Sequence, residues 1–202
     1  MLIVVCRFLK IYKLIIVFLL YIKMKKEILG KLIKDLNGLR WFFISGFAVE
    51  IYSDGKRVTG DWDIVIKEDD AKKFAEKIGC KVEHRLIQKK NFVVDDYGFE
   101  GNYYGQDIEV TTGFPKCRIL NCAFDKLFNR RVKVIYMGVE IFVEPMEELI
   151  VHKAFMHRPK DIDDLKLLKD KKINLYFLKE LANDYGAAEK IINILKEIGY
   201  EI

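Results

Sequence analysis

The sequence contains no apolar run of the length that a membrane-spanning helix requires. Its longest uninterrupted apolar run, Leu14 to Ile22, has nine residues, whereas a spanning helix needs about 20. Residues 1–23 also contain four basic residues and no acidic one. We expect translation to begin at Met24, where an ordinary amphipathic helix starts, which makes residues 1–23 an upstream mis-start. The alternatives are a basic helix that associates with a membrane surface and a short uncleaved anchor.

The sequence also lacks a cysteine pattern typical of disulfides or zinc sites, and its main body lacks an excess of charge. The four cysteines are Cys6, Cys80, Cys117 and Cys122, and no two of them form a C-x-x-C pair. We therefore expect reduced, buried thiols in a cytoplasmic protein. The net charge is +5, but residues 1–23 account for +4 of it. The remaining +1 gives no support to nucleic-acid binding.

The apolar periodicity changes after Pro145, from mixed strands and helices to helices alone. The predicted strands are Trp41 to Ile44, Asp61 to Ile66, Val82 to Ile87, Asn91 to Val94, Tyr103 to Val110, and a hairpin of Val132 to Tyr136 with Val139 to Val143. The predicted helices are Met24 to Leu36, Gly46 to Tyr52, Asp69 (as the cap) to Ile78, Met146 to Met156, Asp161 to Leu168, Leu175 to Asn183, and Ala187 to Ile198. This order predicts an α+β fold, with a mixed sheet domain over residues 24–145 and a C-terminal helical cap over 146–202.

A short motif offers places for a metal ion and a phosphate. Asp61 and Asp63 begin an apolar strand two residues apart, so both side chains point to one face. Carboxylate oxygens are the ligands that Mg²⁺ prefers. Upstream, the Ser45-Gly46 turn lies between an apolar run and a helical run. A helix that begins at such a turn presents free N–H groups, which suit a phosphate. The two features together predict a nucleotide site.

The stretch Ser45-Gly46-Phe47-Ala48, then Arg57, then Asp61-Trp62-Asp63 resembles the signature of the nucleotidyltransferase superfamily related to DNA polymerase beta. It is most similar to the aminoglycoside and lincosamide nucleotidyltransferases and to the toxin-type enzymes of prokaryotic toxin–antitoxin systems. The family usually has Gly-Gly or Gly-Ser where this chain has Ser45-Gly46. This reversal changes which position can take a positive φ.

The resemblance implies a Mg²⁺-dependent transfer of NMP, with AMP from ATP preferred, to a hydroxyl of a small molecule, a tRNA or a protein. Two Mg²⁺ ions, or Mn²⁺ in their place, would be held by three catalytic carboxylates. Asp61 and Asp63 supply two of them. For the third we choose Glu109, which also serves as base or orients it, over Asp107 on the same predicted strand.

The resemblance also implies that Ser45, Gly46, Arg57 and Lys153 bind the triphosphate. The segment from Lys153 to Leu165 resembles the K-x-x-x-x-R-x-K-D-x-x-D-L element of the toxin-type and antibiotic-modifying branches. Within it, Asp161 and Asp164 either orient basic partners or simply begin a helix.

Other functions remain open at this stage. The reversed Ser-Gly order motivates a catalytically degenerate protein that binds a nucleotide or a protein partner, such as an antitoxin. A membrane-associated regulator that uses residues 1–23 is a third hypothesis. The three histidines have no spacing typical of a metal site, so we expect interface or surface positions for His84, His152 and His157.

Overall fold

Seven strands form one mixed sheet in the computed structural model, which describes residues 2–88, 93–112 and 124–202. The strands are β1 Trp41–Phe43, β2 Asp61–Ile66, β3 Glu83–Gln88, β4 Val93–Tyr103, β5 Gln106–Thr111, β6 Val132–Tyr136 and β7 Val139–Val143. The helices are α1 Leu2–Asp35, α2 Ser45–Tyr52, α3 Glu68–Ile78, α4 Phe124–Arg130, α5 Met146–Met156, α6 Pro159–Leu168, α7 Leu175–Asp184 and α8 Ala188–Ile198. The fold is α+β, as predicted.

The strand order places β2 at the centre of the sheet. It runs β3-β4-β5-β2-β1-β7-β6. β2 pairs parallel with β5 and antiparallel with β1, and β1 pairs parallel with β7. The two acidic strands therefore lie side by side, and the turn that follows β1 lies next to the residue that follows β7.

Apolar burial explains why these segments form these elements. One core lies on the sheet and contains Phe43, Phe47 and Trp62, all fully buried. A second core lies among α5 to α8. Ala48 and Val49 of α2 belong to this second core, so the short helix after the Ser-Gly turn packs on both the sheet and the helical region.

Several elements have the predicted bounds. β2, the β6–β7 hairpin and α5 agree with the sequence prediction to the residue. The hairpin turn has Met137 and Gly138 at φ +52° and +74°, the backbone that two-residue hairpin loops require. In these segments the local pattern is strong enough to define the element.

Other predicted bounds were wrong. α1 is one helix from Leu2, so no break in the backbone marks Met24. β4 runs from Val93 to Tyr103, and the chain turns at Tyr104-Gly105 before β5, whereas we predicted separate strands ending at Val94 and beginning at Tyr103. Pairing with both β3 and β5 extends β4 through residues of weak strand propensity.

Smaller corrections concern α3 and α4. α3 begins at Glu68 with Lys67 as the N-cap residue, so Asp69 is not the cap. α4 was not predicted. Asn91, Cys117 and Cys122 lie outside the described residues.

The middle of α1 has an unusual surface. Apolar side chains at positions 14–21 are 39–65% exposed. Within the described residues, nevertheless, none of the helices is apolar over a stretch long enough to cross a membrane. Whether translation begins at Met24 stays a prediction.

Candidate active site

The parallel pairing of β2 with β5 brings the predicted carboxylates together in register. Asp61 lies opposite Asp107, and Asp63 lies opposite Glu109. Between the two aspartates, Trp62 is fully buried, so Asp61 and Asp63 share the opposite face of the strand, as predicted from the side-chain alternation. Asp61 is exposed and Asp63 is partly buried.

The electrostatics of the site centre on Asp63. Burial, together with the nearby charges of Asp61 and Glu109, raises the pKa of Asp63 to about 6. The Gly46 N–H, which donates to Asp63 Oδ2 at 3.3 Å, and the Ser45 hydroxyl act in the opposite direction. Oxygen donors that repel each other in this way fit a divalent cation, because the cation would relieve the repulsion.

The structure shows no preformed metal cluster in the parts of the chain that it describes. There, no group of three or more His, Cys, Asp or Glu side chains is arranged to hold a metal ion. Asp61, Asp63 and Glu109 are therefore neighbours by strand register rather than a closed ligand cage. Their role as metal ligands stays a prediction.

The Ser-Gly turn adopts its conformation at serine. Ser45 has φ +57°, in the left-handed region that non-glycine residues seldom occupy. Gly46 is needed for a different reason: a Cβ on Gly46 would lie 2.8 Å from Thr59 Oγ1. The reversed order thus leaves the strained angle on the serine and uses the glycine for close approach.

The first two N–H groups of α2 already donate to carboxylates. The Ser45 N–H donates to Glu144 Oε1 at 2.6 Å, and the Gly46 N–H donates to Asp63 Oδ2. We had expected the Gly46 N–H to face nucleotide phosphates. In the structure, the positive end of this helix instead stabilises acidic side chains, and phosphate binding at Ser45 and Gly46 stays a prediction.

Glu144 was not found by sequence reasoning. Its side chain is buried, and burial raises the pKa of Glu144 to about 8. It directly follows β7, and the pairing of Phe43 with Val143 places it beside the turn after β1. No local signal identifies it, because an acidic residue before Pro145 is ordinary in a loop.

Arg57 and Lys153 converge on one carboxylate. Arg57 Nη1 lies 2.5 Å and Lys153 Nζ lies 2.7 Å from Asp164 Oδ2. Arg57 comes from the loop before β2, Lys153 from α5 and Asp164 from α6. The structure therefore brings the two predicted phosphate-binding cations together across three elements.

Asp161 lies in the first turn of α6, which begins at Pro159 and not at Asp161 as we predicted. It accepts a hydrogen bond from the Arg158 backbone N–H at 3.0 Å, as a residue at the start of a helix does. It also accepts from the Arg158 side chain at 2.6 Å and lies 3.4 Å from Lys153 Nζ. Asp161 thus closes the capping box at the start of α6 and also orients basic side chains.

The two candidates for the third carboxylate have different partners. Glu109 lies 3.0 Å from Arg85, and Arg85 is also ion-paired to Asp96. Asp107 is exposed and accepts from Asn102 Nδ2 at 2.8 Å. Glu109, opposite Asp63, contributes to the electrostatics of that aspartate, which is consistent with our choice. Sequence reasoning missed Arg85, because Arg85 on β3 and Glu109 on β5 are 24 residues apart in the sequence and β4 lies between their strands.

A buried chain of contacts also connects α1 to Asp61. Lys25 Nζ lies 2.6 Å from Glu50 Oε1, and both side chains are 2% exposed. The Thr59 N–H donates to Glu50 Oε2 at 2.8 Å, and Thr59 Oγ1 donates to Asp61 Oδ1 at 2.9 Å. Tyr136 also donates to Glu50. These contacts hold the loop that precedes β2 against the body of the protein.

One histidine expectation was wrong. His152 is buried within α5, not at a surface, and burial lowers the pKa of His152 to about 3. The apolar residues around it in α5 remove it from water. His84 is exposed and lies 2.9 Å from Asp95.

A cleft of about 500 Å³ opens beside the carboxylates. Four acidic side chains contribute to its lining, and they are Asp61, Glu100, Asp107 and Glu109. Because the lining is acidic, the cleft repels phosphate groups and favours neutral or positively charged ones.

Comparisons with known proteins give only distant similarity. No protein-family model and no curated protein matches the chain. One similar solved structure is that of the antibiotic-resistance factor ANT(2'')-Ia, with a TM-score of 0.44 and 10% identity over 87% of this chain and 91% of that one. A Thermotoga maritima protein assigned as a nucleotidyltransferase has a TM-score of 0.48 and 14% identity over 75% of this chain and 94% of that one.

A third similar structure is that of an antigenic nucleotidyltransferase-like protein from Paracoccidioides brasiliensis. It has a TM-score of 0.47 and 13% identity over 88% of this chain and 86% of that one. The structures that this chain resembles thus include proteins described as nucleotidyltransferases or as nucleotidyltransferase-like. The TM-scores of these three structures are below 0.5, so the likeness gives no information about the site, whose chemistry follows from its own residues.

Proposed function

We propose that this protein is a metal-dependent nucleotidyltransferase that transfers NMP from an NTP, preferably ATP, to a hydroxyl group. One observation carries the proposal. Asp63 lies opposite Glu109 on adjacent parallel strands, Asp61 shares its face, and the charges of both neighbours contribute to the raised pKa of Asp63. Acidic side chains that repel each other at the centre of a sheet destabilise the fold, and such groups cluster at functional sites.

Each carboxylate has a distinct role in this proposal. Asp61, Asp63 and Glu109 would hold two Mg²⁺ or Mn²⁺ ions, which would neutralise triphosphate charge and make the acceptor hydroxyl easier to deprotonate. Glu109 accepts the hydroxyl proton at a carboxylate oxygen or orients the group that does. Arg85, 3.0 Å from Glu109, holds that carboxylate in place. Thr59 restrains Asp61 through its hydroxyl.

Arg57 and Lys153 are proposed to bind the triphosphate. Guanidinium and ammonium groups suit phosphate oxygens, and Arg can bind two of them at once. In the structure both cations share Asp164, which keeps them close together. Bound phosphates would share or replace these ion pairs.

The acidic cleft favours an acceptor without phosphate groups. Four carboxylates line it, and the sequence outside residues 1–23 is almost neutral. Of the four, Glu100 and Asp107 are not proposed metal ligands, so they would keep their charge when metal is bound and would repel a tRNA backbone. The sequence left three acceptor classes open. We therefore favour a hydroxyl of a small molecule first, a hydroxyl of a protein second and a tRNA last.

A second candidate is a protein that binds a nucleotide or an antitoxin-like partner without turnover. The observation that favours it is the pairing of the proposed phosphate-binding groups. The Ser45 and Gly46 N–H groups donate to carboxylates, and Arg57 and Lys153 are both bound to Asp164. Phosphate binding must compete with these contacts.

Label transfer separates the two candidates. The full-length protein is incubated with α-³²P-labelled NTPs, Mg²⁺ or Mn²⁺, and separate pools of small molecules, tRNA and protein. We expect one pool to become labelled from an α-labelled NTP and not from a γ-labelled one, since pyrophosphate leaves. An NTP that binds without any label transfer would instead support the second candidate.

Variants test the choice of carboxylates. Asp63→Asn and Glu109→Gln should each lower the transfer rate by about 10²–10⁴-fold, the usual range for groups that handle protons or charge in the reaction. Asp107→Asn is the matched control, because Asp107 lies on the same strand and is exposed. It should keep most of the activity. Equal losses for Glu109→Gln and Asp107→Asn would contradict the assignment of Glu109.

A further inference from the structure

Glu144 is fixed beside the Ser-Gly turn by the backbone of the sheet. β7 ends at Val143, which pairs in parallel with Phe43, and the Glu144 N–H donates to Phe43 O at 2.9 Å. The side chain of Glu144 is 1% exposed. Its Oε1 accepts the Ser45 N–H at 2.6 Å, a short bond in a site without access to water.

Ser45 needs such a partner because of its backbone angle. At φ +57° an L-residue is in a sparsely populated region, which persists only where surrounding contacts hold it. The next N–H along the chain, that of Gly46, donates to Asp63 Oδ2. Two successive backbone N–H groups therefore connect the carboxyl group of Glu144 to that of Asp63.

We propose that Glu144 is a positioning residue that holds the Ser45-Gly46 turn in its left-handed conformation and thereby sets the orientation of Asp63. This inference deepens the proposed function and rests on it for the kinetic part of its test. Glu144 acts through the turn and takes no part in the reaction itself. The signature Ser45-Gly46-Phe47-Ala48 does not include Glu144.

The role requires an acceptor atom rather than a negative charge. Burial raises the pKa of Glu144 to about 8, and Glu144 Oε1 can accept the Ser45 N–H whether the carboxyl group is neutral or ionised. The other oxygen, Oε2, has no hydrogen-bond partner among the residues that the structure describes. Glutamine has the same shape and an equivalent acceptor, so Glu144→Gln preserves the role and Glu144→Ala removes it.

Amide hydrogen exchange, measured by NMR on the full chain without nucleotide or metal, tests the inference directly. In Glu144→Ala, the amides of Ser45 and Gly46 should exchange about 10–100-fold faster, the size expected for losing a hydrogen bond to a buried carboxyl. In Glu144→Gln, both rates should stay within about 3-fold of the wild type. Should the alanine variant not fold, Glu144→Met replaces it, because methionine fills the volume without an acceptor.

Glu148 provides the matched control. It is another fully buried carboxyl, in α5, whose oxygens make no hydrogen bond to the turn. Glu148→Gln should leave the exchange of Ser45 and Gly46 unchanged. If loss of the Glu144 acceptor releases Ser45 but leaves Gly46 protected, or if glutamine behaves as alanine does, the inference is wrong.

Kinetics then distinguish positioning from a general loss of stability. In an active wild type, Glu144→Ala should lower kcat by about 10-fold or more with little change in the KM for NTP, because Asp63 is displaced while Arg57 and Lys153 remain. Glu144→Gln should restore kcat. If the wild type transfers no label, the proposed function fails, yet the exchange measurements still decide whether Glu144 holds the turn.

Discussion

The raised pKa of Asp63 predicts that its ionised form destabilises the fold. The pKa rises from 3.8 to about 6 because of burial and the charges of Asp61 and Glu109. That difference of about 2 pH units corresponds to about 3 kcal/mol, since each unit is worth 1.36 kcal/mol. Asp63→Asn keeps the shape and an acceptor for the Gly46 N–H but has no charge. We therefore expect it to raise the free energy of unfolding at pH 7 by about 1–3 kcal/mol.

The sign of the pH dependence follows from which state binds the proton more tightly. Between about pH 4 and pH 6 the folded protein retains a proton on Asp63 that the unfolded chain has lost, so its contribution to stability falls as the pH rises. The advantage of Asp63→Asn should be close to zero below about pH 4 and complete above about pH 6. The free energy of unfolding is measured against pH for both proteins, and the wild-type curve is subtracted from that of Asp63→Asn. To a first approximation, this subtraction removes the titration of all other groups.

Urea unfolding followed by circular dichroism between pH 3.5 and pH 8 measures this difference. Asp107→Asn is the control: it lies opposite Asp61 in the next strand but is exposed, and it should change stability by less than about 0.5 kcal/mol. Added Mg²⁺ should stabilise the wild type and have little effect on Asp63→Asn. A difference curve that is flat with pH, or an asparagine variant less stable than the wild type at pH 7, would refute the reasoning.

Two further predictions concern the packing around the site and are read by the same unfolding assay. Gly46→Ala should cost about 1–3 kcal/mol, because its Cβ would meet Thr59 Oγ1 at 2.8 Å; Thr59→Ala should remove most of that penalty, and equal penalties in both backgrounds would contradict the steric cause. Lys25→Met should cost about 3–5 kcal/mol, because it leaves Glu50 buried without its ion-pair partner. The double variant with Glu50→Gln should recover most of this loss, because glutamine removes the buried charge and keeps an acceptor for Thr59 and Tyr136; simple additivity would argue against a coupled pair.

The sequence predicts well those elements whose signal is local. β2 and the β6–β7 hairpin have strict alternation and clear turn residues, and their bounds agree with the structure. β4 was mispredicted because Gly98 and Gly101 weaken its strand pattern. Its length comes instead from pairing with β3 and β5 on both edges, and such pairing depends on residues distant in sequence.

The same distinction applies to the candidate site. Side-chain alternation alone was enough to put Asp61 and Asp63 on one face, and the structure confirms it. Arg85, Glu50 and Glu144 were not foreseen, since each reaches the site through a partner at least nine residues away in sequence. A buried acidic residue looks the same in a sequence as an exposed one.

The sequence by itself determined the α+β class, the pair of aspartates on one strand face and the small-residue turn that precedes them, because each depends on neighbours along the chain. Only the tertiary structure decided that Ser45, rather than Gly46, takes the positive φ, and that the turn's N–H groups donate to Glu144 and Asp63. The physical reason is that these features depend on burial and strand register. Both arise from contacts between segments that are far apart in the chain and meet only when it folds.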